Sequence, residues 1–333
     1  MRVAAIDCGT NSVRLLVADV EGRTKIDVHR EMRVVRLGQD VDRTGELAPA
    51  AIERTRVALA DYAATCAALG VEATRMVATS ATRDALNRSE FQDMVRTVLG
   101  VEPEVISGEE EAELSFDGAT RDLDPADGPF LVMDIGGGST ELVLGTTGVQ
   151  ASRSVDIGCV RLTERHLASD PPTAAQVAAC VADVEAALAL VREVVPVERA
   201  RTAVGLAGSV TTVAALVLDL PAYDPDRIHH SRLAAADIAA VSRRLLTMTQ
   251  QERSALPVMH PGRVDVIGGG ALVLQVLVDR LGLAEILVSE SDILDGIAWS
   301  IMGRAAGPGS GVLPPGVLPP DALPSDVLPR GTM

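Results

Sequence analysis

Short apolar runs and longer apolar-periodic segments alternate along the chain, with glycine or proline at many of the joints. The runs at residues 3–6 and 130–133 carry no polar position and read as buried strands. Each leads into an aspartate, Asp7 or Asp134, then a glycine turn, then a second strand, residues 140–145 in the later copy. Residues 24–36 and 151–156 read as a third strand after each turn, and residues 74–78, 105–106, 202–206, 264–267 and 286–288 as further strands. Residues 49–69 predict a helix, with proline near its start, apolar positions at helical spacing and Gly70 at its end. Helices are also predicted over residues 91–99, from Ser107 towards Gly118, and over residues 174–194, 235–255 and 292–302. Two more follow Ala207 and the glycines at 268–270. Thr79 and Ser80, and later Ser209 or Thr211, stand where they would cap short helices, which makes the helix after Thr79 a candidate anion site. Strands alternating with helices imply an α/β fold of parallel sheets flanked by helices.

The two glycine turns are one device used twice. Residues 7–17 lie without a gap on residues 134–144, so that Asp7 matches Asp134, Gly9 matches Gly136, Ser12 matches Ser139 and Leu15 matches Leu142, 127 positions apart. Glycine lets backbone N–H groups approach an anion closely and adopt the positive φ of a phosphate cradle. Two carboxylates beside such a cradle, Asp134 and Glu141, require a cation, and Mg²⁺ suits oxygen ligands shared with phosphate. A single glycine run is more often an ordinary hairpin tip. The repeat turns the reading towards one polyphosphate-like ligand gripped from both sides.

A chain of 333 residues is long enough for two domains, and the Asp-, Pro- and Gly-rich segment at 121–129 is the expected boundary. The expected division is 1–125, 126–304 and a proline-rich tail at 305–333, whose four imperfect five-residue repeats around Leu-Pro predict disorder. Aromatic residues are only 2 % against 47 % apolar, so the core must be built from Ala, Val, Leu and Ile. The net charge of −16, with Lys25 the single lysine, disfavours nucleic acid and anionic membranes as partners. It would also repel a polyanionic ligand unless metal and a few arginines make the cleft locally positive. No window reaches eighteen uninterrupted apolar residues and the N-terminus opens directly on a strand, so neither a membrane span nor a signal peptide is expected. Four cysteines without Cys-x-x-Cys spacing read as reduced thiols, in keeping with a cytoplasmic protein.

Five segments occurring in order carry a family resemblance: Asp7-Cys-Gly-Thr-Asn-Ser, Ala81-Thr-Arg83, Ile106-Ser-Gly-Glu-Glu-Glu-Ala112, Asp134-Ile-Gly-Gly-Gly-Ser-Thr-Glu141 and Gly205-Leu-Ala-Gly-Ser209. Together they resemble the exopolyphosphatase/guanosine pentaphosphate phosphohydrolase (Ppx/GppA) family, over residues 1 to about 303. The resemblance implies two ribonuclease-H-like domains of the actin/sugar-kinase/heat-shock-ATPase fold with a cleft between them. It implies metal-assisted release of terminal phosphate from inorganic polyphosphate, with pppGpp as the alternative substrate. An actin-like ATPase scaffold is the reading from another class. His229-His230 is followed by Ser231 and not by aspartate, so the chain resembles the short form without an HD-type domain. Residue by residue, the resemblance places the catalytic glutamate at Glu111 and the metal-holding acids at Asp134 and Glu141, with Mg²⁺ or Mn²⁺ as the ion. It places phosphate contacts at Thr10, Asn11, Arg83, Gly136, Gly137, Gly138, Ser139 and Thr140. Glu109 and Glu110 read as supporting charge. The roles of Asp7 and Arg14, a homodimer and the preferred chain length stay open.

Overall fold

A computed structural model of the chain describes residues 1–22 and 24–305. It contains two sheets that share a five-strand topology, the second extended by one edge strand. The first takes β1 (Arg2–Cys8), β2 (Ser12–Glu21), β3 (Thr24–Val34), β4 (Ala73–Ala78) and β5 (Glu104–Val105) in the order β3-β2-β1-β4-β5. The second takes β6 (Phe130–Ile135), β7 (Thr140–Gly145), β8 (Val149–Val155), β9 (Thr202–Leu206), β10 (Arg232–Ala234) and β11 (Glu285–Val288) in the order β10-β11-β9-β6-β7-β8. In both, the hairpin strands and the third strand pair antiparallel, while β1–β4 and β6–β9 pair parallel. The duplicated turn is thus the tip of a duplicated sheet.

Helices cover both faces of each sheet. The first half supplies α1 (Val41–Thr44), α2 (Pro49–Ala68), α3 (Ser80–Asp84), α4 (Arg88–Leu99) and α5 (Gly108–Thr120). The second supplies α6 (Cys159–His166), α7 (Ala174–Arg192), α8 (Ala207–Val217), α9 (Pro225–Ile228), α10 (Ala235–Thr247), α11 (Gln250–Ser254), α12 (Ile267–Leu281) and α13 (Ile293–Ala305). The core is aliphatic, as the composition requires, and the three phenylalanines, Phe91, Phe116 and Phe130, are all buried in it.

Two helices cross over between the halves. α5 lays Ala112 and Phe116 on the second sheet, against Val132, Val143 and Leu206. α13, from the end of the described chain, lays Ile293, Leu294 and Ile297 on the first, against Val3, Ala5 and Leu16. The two helices cross so closely that a Cβ on Gly118 would lie 1.9 Å from the Asp292 carbonyl oxygen, and one on Gly296 would lie 2.0 Å from that of Leu114. Only glycine fits at that contact. The 121–129 segment expected as a boundary falls between α5 and β6, while α13 returns to the first sheet.

Several elements differ from the sequence reading. Residues 264–267 form no strand: a turn leads into α12, and Gly268, Gly269 and Gly270 lie in its first turn. There Gly269 faces Thr163 and Gly270 faces Ser209, so the glycines serve helix packing. A short apolar run bounded by Gly262 fits a helix start as well as a strand. The helix expected over 235–255 breaks after Thr247, and Thr249 opens α11 with a reciprocal capping box to Glu252. Thr79 is the N-cap of α3 but makes no capping hydrogen bond. α8 is capped by neither Ser209 nor Thr211; its N-cap is Leu206. By length and composition α7 is apolar enough to cross a bilayer, with a mean hydropathy of 1.7, although no uninterrupted apolar window marked it. It places Cys180, Val184, Leu188 and Val191 in the core of the second half. The expected proline-rich tail lies outside the described residues, apart from Ala305 at the end of α13.

Candidate active site

Both glycine turns close with the same backbone bond. The Gly9 N–H donates to the Ser12 carbonyl at 2.9 Å, and the Gly136 N–H donates to the Ser139 carbonyl at 3.0 Å. In the second turn, α6 fixes the peptide orientation. The Cys159 N–H donates to the Gly136 carbonyl at 3.0 Å, and the Val160 and Arg161 N–H groups donate to the Gly137 carbonyl at 2.9 and 3.1 Å. A trans peptide points its N–H opposite to its carbonyl. The Gly137 and Gly138 N–H groups therefore face away from α6, as a phosphate cradle needs. The two turns touch. A Cβ on Gly138 would lie 2.2 Å from the Ser80 hydroxyl and 2.7 Å from that of Thr10, so the third glycine is required by close approach across the cleft.

The repeat also aligns the charges. Asp7 pairs across its hairpin with Arg14, and Asp134 pairs across its own with Glu141, at equivalent positions of the duplicated unit. In the first copy the protein supplies the cation: Arg14 donates to Asp7 Oδ2 at 2.6 and 3.0 Å and also bonds Asp292. In the second copy two carboxylates face one another with no such partner on the opposing strand. Asp134 accepts from Ser115 at 2.6 Å, and Glu141 accepts from Ser154 at 2.6 Å. Glu111, on the first turn of α5, accepts from Arg83 at 3.1 Å. All five acids, Asp7, Glu111, Asp134, Glu141 and Asp292, are buried. Burial pushes Glu111 up to about 7, against the lowering pull of Arg83. It likewise pushes Asp134 up to about 6, against the Ser115 hydrogen bond. Burial, followed by the charges of Glu111 and Asp134, holds Glu141 well above the ordinary carboxylate range.

These groups surround a cavity of about 100 Å³, lined from the first half by Asp7, Thr10, Asn11, Arg14 and Glu111, and from the second by Asp134, Glu141 and the turn from Gly136 to Ser139. Two expected contacts sit elsewhere. The Thr140 hydroxyl is fully buried and donates to the Ile157 carbonyl at 2.6 Å, and Arg83 holds Glu111 and the Ile106 carbonyl from behind the cavity wall. Three groups were missed by sequence reasoning. Arg263 lines the cavity, donating to the Gly208 carbonyl at 2.7 Å and to Thr212 at 3.2 Å, and among the described residues it forms no ion pair with a carboxylate. Its guanidinium packs on Gly208, where a Cβ would lie 2.0 Å away. Asp292 anchors Arg14 from the far end of the chain. Ser115 had left a signal, since it lies four residues after Glu111 and so on the same face of the helix. An adjoining cavity of about 500 Å³ shares Arg14, Ala207, Gly208 and Arg263 with the first.

The model of the Ppx/GppA phosphatase family matches residues 16–305. Exopolyphosphatase 2 of Mycobacterium tuberculosis is 55 % identical over 315 residues, covering 91 % of this chain and 99 % of that protein. The crystal structure of an exopolyphosphatase-like protein is 45 % identical with a TM-score of 0.88, over 92 % of this chain and all of that one, 100 %. The Aquifex aeolicus family member, also a crystal structure, is 31 % identical with a TM-score of 0.76, over 92 % of this chain and 99 % of its own. The fold is accordingly the α/β one expected from the sequence, two ribonuclease-H-like domains of the actin/sugar-kinase/heat-shock-ATPase type. By sequence and structure alike, the chain belongs to the Ppx/GppA phosphatase family.

Proposed function

We propose that the chain is an exopolyphosphatase, releasing terminal phosphate from inorganic polyphosphate in the cleft between its halves. The observation that carries this reading is the pair of matched turns meeting over one cavity, with Glu111 and the acids of the second turn on its walls. Phosphoryl transfer needs positioning, charge neutralisation and an oriented water more than covalent help. The N–H groups of the second turn would hold phosphate oxygens, and Arg14 and Arg263 would add cationic donors. Glu111, with a pKa near neutrality, would take the proton of the attacking water, steadied by Arg83.

The donor set fits a hard divalent cation. Asp134 and Glu141 face each other across one hairpin, and the buried Asp7 Oδ1 has no hydrogen-bond partner. Asp134 and Glu141 would hold Mg²⁺ or Mn²⁺, which when bound neutralises charge on the transferred phosphoryl group. We assign residues 1–125 and 126–304 to the two jaws of this cleft, with α13 crossing back onto the first sheet. Hydrolysis of pppGpp is the second reading. It is favoured by the adjoining cavity of about 500 Å³, where Tyr223, Met259 and Pro261 offer apolar surface next to Arg263. The experiment is phosphate release from polyphosphate, pppGpp and ATP measured side by side. Polyphosphate is expected to be preferred. Preference for pppGpp would move the assignment to the second reading, and activity on ATP alone would remove both.

A further inference from the structure

We infer that Arg161 is a positioning residue that ties closure of the cleft to the shape of the phosphate turn. This rests on the reading of residues 136–139 as that turn. Two of the three glycine carbonyls are held by backbone N–H groups of α6, and the third is held by a side chain: Arg161 Nε donates to the Gly138 carbonyl at 2.7 Å. The peptide fixed by that bond ends in the Ser139 N–H, so this guanidinium sets the direction of the last donor in the cradle. The same guanidinium reaches across the cleft. One terminal nitrogen donates to Asp42 on α1 and the other to Asp84 at the end of α3, each at 2.5 Å. Its side chain is 12 % exposed, while the Asp42 and Asp84 side chains are 27 % and 34 % exposed, so the fork sits at the rim of the cleft with its arginine the better covered partner.

The acceptors come from both halves. Asp42 and Asp84 belong to the first, Gly138 to the second, and a rigid planar fork serves all three at once. Asp84 directly follows Arg83, which holds Glu111. A continuous chain of bonds therefore runs from the general base through Arg83 and Asp84 to Arg161 and the phosphate turn. Neighbouring contacts close the same end of the cleft: Arg165 donates to Asp42 at 3.0 Å, and the Asp40 N–H donates to Glu164 at 3.2 Å. If the halves part, Arg161 loses Asp42 and Asp84 and keeps the Gly138 carbonyl and, 4.0 Å away, the exposed Asp156 carboxylate of its own half. A lysine carries one compact ammonium and does not satisfy three acceptors in this geometry.

The test uses the full chain and tripolyphosphate with Mg²⁺, comparing wild type, Arg161→Lys, the pair Asp42→Asn with Asp84→Asn, and all three substitutions together. The Asn pair leaves every atom of the phosphate turn in place. Arg161→Lys and the Asn pair are each expected to raise KM about tenfold, the scale of losing a charge-assisted hydrogen bond, with kcat within about threefold of wild type. The effect in the triple variant is expected to fall well short of the product of the two, because both break the shared link, the remainder being the Gly138 bond lost only with Arg161→Lys and the Arg165–Asp42 pair lost only with Asp42→Asn. Melting temperatures check that each variant is folded, and a variant that fails to fold is replaced by Asp84→Asn alone, expected to raise KM in the same direction. Unchanged KM in the folded Asn pair, or effects that multiply in the triple variant, would overturn the coupling. Failure of wild type itself to bind tripolyphosphate would instead overturn the phosphate-turn reading, and the inference with it.

Discussion

Three adjacent glutamates open α5, and the structure gives each a different setting. Successive helical positions are turned by about 100°, so the three cannot share one face. Glu109 is exposed, Glu110 pairs with Arg75 at 2.6 Å, and Glu111 is buried on the cavity wall. Replacing Glu111, the proposed base, by Gln keeps the shape but removes the ionisable carboxylate, so turnover is expected to fall by about 10²- to 10⁴-fold with binding retained. Glu109→Gln is expected to stay within several-fold of wild type, both read by single-turnover phosphate release. The base must be ionised, and burial holds it near 7, so turnover should rise as pH increases through about 7. A rate already flat between pH 5 and 8 would exclude Glu111 as that base. At this scale the sequence was informative where a residue belonged to a motif, as with Glu111 and the glycine turn. It was silent on Arg263 and Asp292, whose roles arise from contacts with Gly208 and Arg14 far away in the chain. For Thr140, strand alternation decided the outcome, sending its hydroxyl to Ile157 and away from the cavity.

Among the elements, the crossing of α5 and α13 fixes where Glu111 stands. Gly118→Ala would place a methyl group 1.9 Å from the Asp292 carbonyl, which backbone cannot yield cheaply. We expect it to destabilise the fold by about 1–3 kcal/mol in urea unfolding, and to reduce turnover because Asp292 also anchors Arg14. Unchanged stability and rate would show that the helices separate freely. The hairpins and the helices read over 49–69 and 174–194 were legible because period and turn residues agreed, whereas the one read over 235–255 is broken by the capping box at Thr249. The 264–267 segment was not, since four residues are too few to separate a strand from a helix start. Nor was the exchange of α5 and α13 between sheets, because an apolar helix face does not name the sheet it will cover.

On the scale of the whole molecule, a net charge of −16 surrounds a cleft that must accept a polyanion. The structure concentrates the conflict in Asp134, Glu141 and Glu111, whose pKa values all lie above those of unfolded carboxyls near 4. The folded state thus holds protons that the unfolded state releases. Their contribution to stability is full below about pH 4 and is lost as pH rises through about 6, for Asp134, and about 7, for Glu111. Without divalent metal, the melting temperature should fall from pH 5 to 8 more steeply than with Mg²⁺ present, and identical slopes would argue against a cation at these acids. The duplication was visible in the sequence as eleven aligned positions, and it foretold two equivalent sheets. What it did not reveal is that the copies divide the labour, with Arg14 neutralising Asp7 in the first while a second carboxylate, Glu141, faces Asp134 in the other. The most direct measurement of that division is phosphate released from polyphosphate by the wild-type chain with Mg²⁺ and with excess chelator. Metal-assisted hydrolysis at this cavity predicts release with Mg²⁺ and essentially none in chelator; full activity in chelator would contradict it.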